Sequence, residues 1–123
     1  MRIARPVRAI AASLHFYVEV LGLEHLGGFQ DHDGYDGAFV GVTGADWHIE
    51  FTTHAEGAPR PTPTREDLVV LYLRPGEVAG ATARLTNAGS PPLHHENPYW
   101  ASVGAVVVRD PDGYLLVLCP DDT

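Results

Sequence analysis

The sequence predicts an α+β fold built from two tandem β-α-β-β-β modules. Three observations predict it. The alternating run Trp47-His48-Ile49-Glu50-Phe51 and the run Tyr114-Leu115-Leu116-Val117-Leu118 have the same strand-like form, and Glu50 and Val117 stand 67 positions apart. Gly22 and Gly89, each ending a helix-patterned segment, are also 67 positions apart. Between the copies lies Glu56-Gly57-Ala58-Pro59-Arg60-Pro61-Thr62-Pro63-Thr64, whose Pro, Gly and Thr content marks a linker. A repeat fixes architecture before any single element does. Within one domain spanning 1–123, module one is expected at about 1–54, the linker at about 55–65 and module two at about 66–120.

The elements follow in order. Ile3 to Arg8 is a short strand. In Ala9 to Leu21, the residues Ile10, Leu14, Tyr17, Val18 and Leu21 recur at helical spacing. Gly22 ends that helix because glycine tolerates the left-handed backbone there. Glu24 to Gln30 reads as a strand, Asp31 to Gly37 as a turn-rich loop, and Ala38 to Val42 and Trp47 to Thr52 as two more strands. The second copy opens with the strand Leu68 to Leu73. A Pro75-Gly76 break leads to a helix from about Glu77 to Ala88, with Val78, Ala81, Leu85 and Ala88 as its apolar stripe. Leu93 to Glu96 is a weak strand and Gly104 to Val108 a strong one. Asp110-Pro111-Asp112-Gly113 is a β-turn with Pro and Gly in favoured places, and Tyr114 to Cys119 closes the module.

Composition limits the function classes. A chain of 123 residues with 45% hydrophobic residues suits one folded domain with a modest core. No apolar run approaches the roughly 20 residues that span a bilayer, so no membrane partner is expected. The first six residues lack the apolar stretch of a signal peptide, which points to a cytoplasmic protein. The net charge of −8, with eight Arg and no Lys, disfavours nucleic acid and anionic membranes. Cys119 is alone, which rules out an internal disulfide and a multi-cysteine zinc site. Asp31-x-Asp33-Gly34 fails as a calcium loop, because its glycine is at the fourth place and Val42 stands where a bidentate Glu is required, and a surface hairpin loop is expected there instead.

Three stretches carry a family resemblance: Ser13-Leu14-His15-Phe16-Tyr17 running to Leu21-Gly22-Leu23, then Trp47 to Phe51, then Arg109-Asp110-Pro111-Asp112-Gly113-Tyr114. In this order they resemble the glyoxalase / bleomycin-resistance / extradiol-dioxygenase superfamily, also called vicinal oxygen chelate proteins. The chain looks like a small glyoxalase-like member of unassigned function. The resemblance implies two modules each curling around a cavity, a small-molecule ligand in that cavity, and a homodimer. In the superfamily's enzymes four side chains, two per module, hold a divalent metal. Carried over by position they are Arg2, Glu50, Leu68 (or Asp67 in a register slipped by one) and Val117. Guanidinium has no lone pair to donate, and Leu and Val offer no donor atom. No metal and no other cofactor are therefore expected.

Several side chains are candidates for the ligand site. His48 and Glu50, two apart on a strand, point to one face and could serve as acid/base and anchor, while Ile49 and Phe51 point to the other and pack. Glu50 could equally pair with Arg2. Tyr35, in the turn-rich loop, can reach a cavity mouth, and Tyr72 faces opposite to Leu71 and Leu73. In His94-His95-Glu96-Asn97-Pro98-Tyr99-Trp100, the polar Asn97 with the rings of Tyr99 and Trp100 suits a pocket wall, or alternatively a barrel-edge loop or dimer contact. His15, His25 and His54 read as surface histidines. The reading that follows is a glyoxalase-like small-molecule-binding protein, with drug sequestration of the bleomycin-resistance type as its narrower form. The alternative is a lyase, isomerase or dioxygenase with altered metal ligands, or a metal-free enzyme using Glu50 or His48 as base; a structural dimer with a relic pocket is a third class. The sequence leaves catalysis open.

Overall fold

A computed structural model describes residues 1–57 and 59–121 of the chain. It divides into two compact units, Met1–Thr62 and Pro63–Thr123.

In the first unit the order is β1 (Arg2–Pro6), α1 (Ile10–Leu14), a π-helical segment (His15–Val20), β2 (Glu24–His32), β3 (Tyr35–Gly41) and β4 (His48–His54). The strands form one sheet in the order β1-β4-β3-β2, with β1 parallel to β4 and the rest antiparallel. Alternation along β4 sends Ile49 and Phe51 to the helix side, where both are fully buried and the Phe51 ring lies 4.9 Å from that of Tyr17. Side chains of this size contribute about 1.5–3 kcal/mol each when removed from water.

The second unit contains β5 (Leu68–Leu73), α2 (Pro75–Asn87), α3 (Pro98–Ser102), β6 (Val106–Arg109) and β7 (Leu115–Pro120). Its sheet runs β5-β7-β6, again with the first and last strands parallel. Leu71, Leu116, Leu118 and Val108 are buried, as are Val78, Ala81 and Leu85 of α2, which packs on β7. The turn before β7 is held by Asp110, whose carboxylate accepts from the backbone N–H of Asp112 (2.8 Å) and Tyr114 (3.0 Å). Both sheets share one winding, so the two modules are copies, the second with three strands and a single bridge in place of its expected second strand. The match extends to register: Arg2 pairs with His48 as Leu68 pairs with Leu115, and Ala4 pairs with Glu50 as Val70 pairs with Val117. That register makes Leu68, not Asp67, the counterpart of Arg2.

Four expectations need correction. The helix expected over Ala9–Leu21 is α-helical only to Leu14 and then π-helical, with the Leu21 N–H bonded to the Phe16 carbonyl at 2.9 Å. The hairpin loop expected over Asp31–Gly37 is shorter than its expected bounds: His32 pairs with Tyr35, and Asp33 (φ 54°) and Gly34 (φ 84°) alone form its tip. Positive φ at both central residues is what a primed hairpin turn requires, and Asp-Gly favours it. The strand expected at Leu93–Glu96 shrinks to one bridge between Leu93 and Val107. Beyond it, the Asn97 side chain accepts from the Tyr99 N–H (3.0 Å) and Pro98 occupies the first helical position, so α3 forms where no helix was expected.

Candidate functional site

The two sheet faces opposite α1 and α2 differ in chemistry. In the second unit this face is an apolar cluster of Val107, Leu115, Val117 and Cys119, all buried, against which Leu68, Val70, Leu93 and Trp100 pack. The Nε1–H of half-buried Trp100 has no hydrogen-bond partner. In the first unit the corresponding face carries Arg2, His48, Glu50 and Thr52.

Arg2 holds that polar face together. Its Nε–H donates to His48 Nε2 at 2.9 Å, its Nη1 lies 3.5 Å from Glu50 Oε1, and its guanidinium carbon lies 4.8 Å above the Phe39 ring. Because Arg2 can only donate, His48 Nε2 must hold the lone pair and its proton must sit on Nδ1. The Arg2 side chain is 53% exposed and that of Glu50 10%. At 3.5 Å the pair is longer than the 2.7–2.9 Å typical of a charge-assisted hydrogen bond. Glu50 thus keeps acceptor capacity, and among the described residues no closer partner saturates it. Sequence reasoning anticipated both the pairing with Arg2 and the shared face of His48 and Glu50. It missed Phe39, although Phe39 is the register partner of Glu50 on β3.

The superfamily's metal does not fit these residues. At its four positions stand a guanidinium, one carboxylate and two aliphatic side chains, and the lone pair of His48 is already engaged. Elsewhere, donor atoms of Glu66, His95 and Glu96 lie within 4.8 Å of one another. His95 is not free to ligate there. Its Nδ1 accepts the Asn97 N–H (3.1 Å), so its Nε2–H donates to the Arg65 carbonyl (2.6 Å), and both ring nitrogens are used. Arg65 Nε also binds Glu96 Oε1 at 2.7 Å. That hydrogen bond is the main cause holding the Glu96 carboxyl below its ordinary range, with burial opposing it. The cluster is a knot that ties the second unit's first residues to the stretch before α3.

The remaining expected site residues are dispersed. Tyr35 packs edge-on against His54 (4.5 Å between rings) at the opposite end of β4 from His48, beside a cavity of about 350 Å³. Tyr72 is 65% exposed and Tyr99 54% exposed. Tyr99 and Trp100 touch edge-to-face at 5.1 Å, and Asn97 is engaged as the helix cap. Residues read only as linker, Gly57, Pro59, Arg60 and Pro61, form one wall of the Tyr35 cavity. A second, open groove of about 530 Å³ runs between Ile10 and Leu14 of α1 and the β2 segment His25–Gln30. Ile10 and Leu14 are only half-buried, because the paired glycines Gly27 and Gly28 supply no side chains to cover them.

Duplicated modules with this strand order, winding and parallel closing strand define a protein of the vicinal oxygen chelate superfamily. Within it the chain belongs to the YycE-like family: residues 1–52 match the YycE-like N-terminal domain and residues 66–120 the YycE-like C-terminal domain. It is similar to the uncharacterized protein YycE of Bacillus subtilis (strain 168), 40% identical over 118 residues that cover 95% of this chain and 84% of that one. The crystal structure of a YycE protein of unknown function from Bacillus subtilis has a TM-score of 0.90 at 38% identity, covering 100% of this chain and 90% of that chain. The trypanothione-dependent glyoxalase I of Leishmania major shares the fold, with a TM-score of 0.77 at 19% identity over 97% of this chain and 84% of that chain.

Proposed function

We propose that this protein binds a small organic molecule on the Arg2–His48–Glu50 face of its first unit and takes no divalent metal at the superfamily's four positions. The observation that supports it most is Arg2, whose guanidinium occupies the first of those positions and engages both His48 and Glu50. Glu50 supplies an underused acceptor, Arg2 spare donors, and Phe39 a ring face, which together suit a polar molecule with a flat or apolar part. Tyr35, Tyr72, Tyr99 and Trp100 remain candidates for ring contacts with a ligand. Asn97 is a weaker one, because its side chain caps α3. A homodimer and a cytoplasmic location belong to the same reading. The described helices include none long and apolar enough to cross a membrane.

Metal analysis of protein purified without chelator tests the metal-free claim. Less than a tenth of an equivalent of divalent metal is expected, and a stoichiometric ion that survives dialysis overturns the claim. Drug sequestration is the narrower form, supported by the net charge of −8 and the exposed aromatic rings. Titration with a cationic glycopeptide antibiotic should change the Trp fluorescence saturably; a flat response excludes it. The alternative of metal-free catalysis favours Glu50 over His48 as base, because the His48 lone pair is released only if Arg2 withdraws.

A further inference from the structure

The cavity beside Tyr35 has a composition unlike the rest of the chain. Its lining includes Arg8, Arg60, Tyr35, Thr52, Thr53 and His54, and among the described residues no carboxylate. In a chain with 16 acidic and 8 basic residues, two arginines in a lining without a carboxylate among the described residues are a local departure from the overall charge. Its volume of about 350 Å³ suits a small ligand. It lies wholly within the first unit, at the far end of β4 from the Arg2–Glu50 pair, and does not depend on the reading of that pair.

The cavity is also rigidly framed. His54 Nδ1 accepts the Glu56 N–H (3.1 Å) and its Nε2–H donates to the Asp33 carbonyl (3.2 Å), so the ring is a fixed wall. Gly34 permits this. A Cβ there would lie 2.7 Å from His54 Nε2, and its φ of +84° suits glycine. The ring of His54 in turn sets that of Tyr35. Arg60 lies between Pro59 and Pro61, so its backbone is restricted on both sides, and Pro61 is buried. Arg60 is exposed and has no carboxylate partner among the described residues. A guanidinium held on a stiff segment, beside hydroxyls and a second guanidinium, is a preorganised donor set for an oxyanion.

We infer that this cavity is a binding site for a small oxyanion, a carboxylate or a phosphate group, with Arg60 as its principal contact. Arginine Nε–Hε resonances followed by NMR at constant ionic strength test it, with inorganic phosphate and succinate as probes and chloride as control. The Arg60 signal should shift saturably with at least one probe, with a dissociation constant in the range of about 1 mM or tighter. Phosphate saturating alone would assign a phosphate ligand, and succinate alone a carboxylate. Arg60→Gln, exposed and therefore expected to keep its fold, should abolish saturation as read from backbone amides lining the cavity. Arg84→Gln, which removes the same charge from the second unit, should not. Linear shifts with both probes to about 20 mM, or saturation unchanged in Arg60→Gln, would overturn the inference.

Discussion

Apart from the extra edge strand β2, the two sheets share strand order and register yet present opposite chemistry on the faces opposite α1 and α2. The first shows Arg2, His48 and Glu50; the second buries Leu68, Leu115, Val117 and Cys119 under the stretch that carries Trp100. Pairing geometry therefore does not depend on what that face carries. In the second unit the face is a second core and supports stability. In the first it is a half-solvated polar surface, available to a ligand at little structural cost.

The sharpest way to break this contrast is to exchange the equivalent residues. Val117→Glu places a carboxylate at a position with 0% exposure and no cation at hand. It should cost on the order of 3–5 kcal/mol by denaturant titration, or prevent folding. The helix-side faces, by contrast, should behave alike. Phe51→Ala in the first unit and Leu116→Ala in the second should each lose about 2–5 kcal/mol, and a clear inequality would mean the two units contribute unevenly to one stability. Glu50→Val, the mirror of the first exchange, should change stability by less than about 1 kcal/mol, because half-exposed Arg2 is rehydrated. The same variant should lose ligand binding.

The smallest effects concern one surface carboxylate in each unit. Hydrogen bonds from the Thr43 hydroxyl and backbone N–H hold Glu24 below its ordinary range, whereas Arg65 does so for Glu96. Both folded values are depressed, so both contributions are present above the unfolded Glu value of about 4.3 and fade as pH falls through the folded values. Carboxyl titration by NMR should show Glu96 rising towards its ordinary value in high salt, with Glu24 less affected, because Glu96 alone is held by an opposite charge.

Much of the fold was legible because it rests on local pattern. β5 was read at its observed bounds from an unbroken apolar run, and both helix-ending glycines adopt positive φ. Signals for the rest were present but outweighed. Asp33-Gly34 was placed in a hairpin loop with bounds wider than its two-residue tip, and Asn97-Pro98 is a cap followed by proline that was read as pocket wall. The pairing of Arg2 with Glu50 was legible because β-strand alternation and the repeat place them at neighbouring positions. The Tyr35 cavity was not, because Arg60 meets Tyr35 and His54 only through folding of the linker onto the sheet, which leaves no periodicity in the sequence.

The π-helical segment has a consequence for how the first unit tolerates change. Each helical residue advances the side-chain direction by roughly 100°, so the wide turn between Phe16 and Leu21 acts as a phase shift. It lets neighbouring Phe16 and Tyr17 both reach the interior while returning Leu21 to it. Deleting one residue between His15 and Val20 would let an ordinary α-helix form there. That helix would be locally more regular and would still deliver Leu21 and the Gly22 turn to β2 nearly in phase, because the wide turn spreads one extra residue over about the same rotation. The buried side chains Phe16, Tyr17 and Leu21, more than the exact length, are thus what this short stretch must preserve.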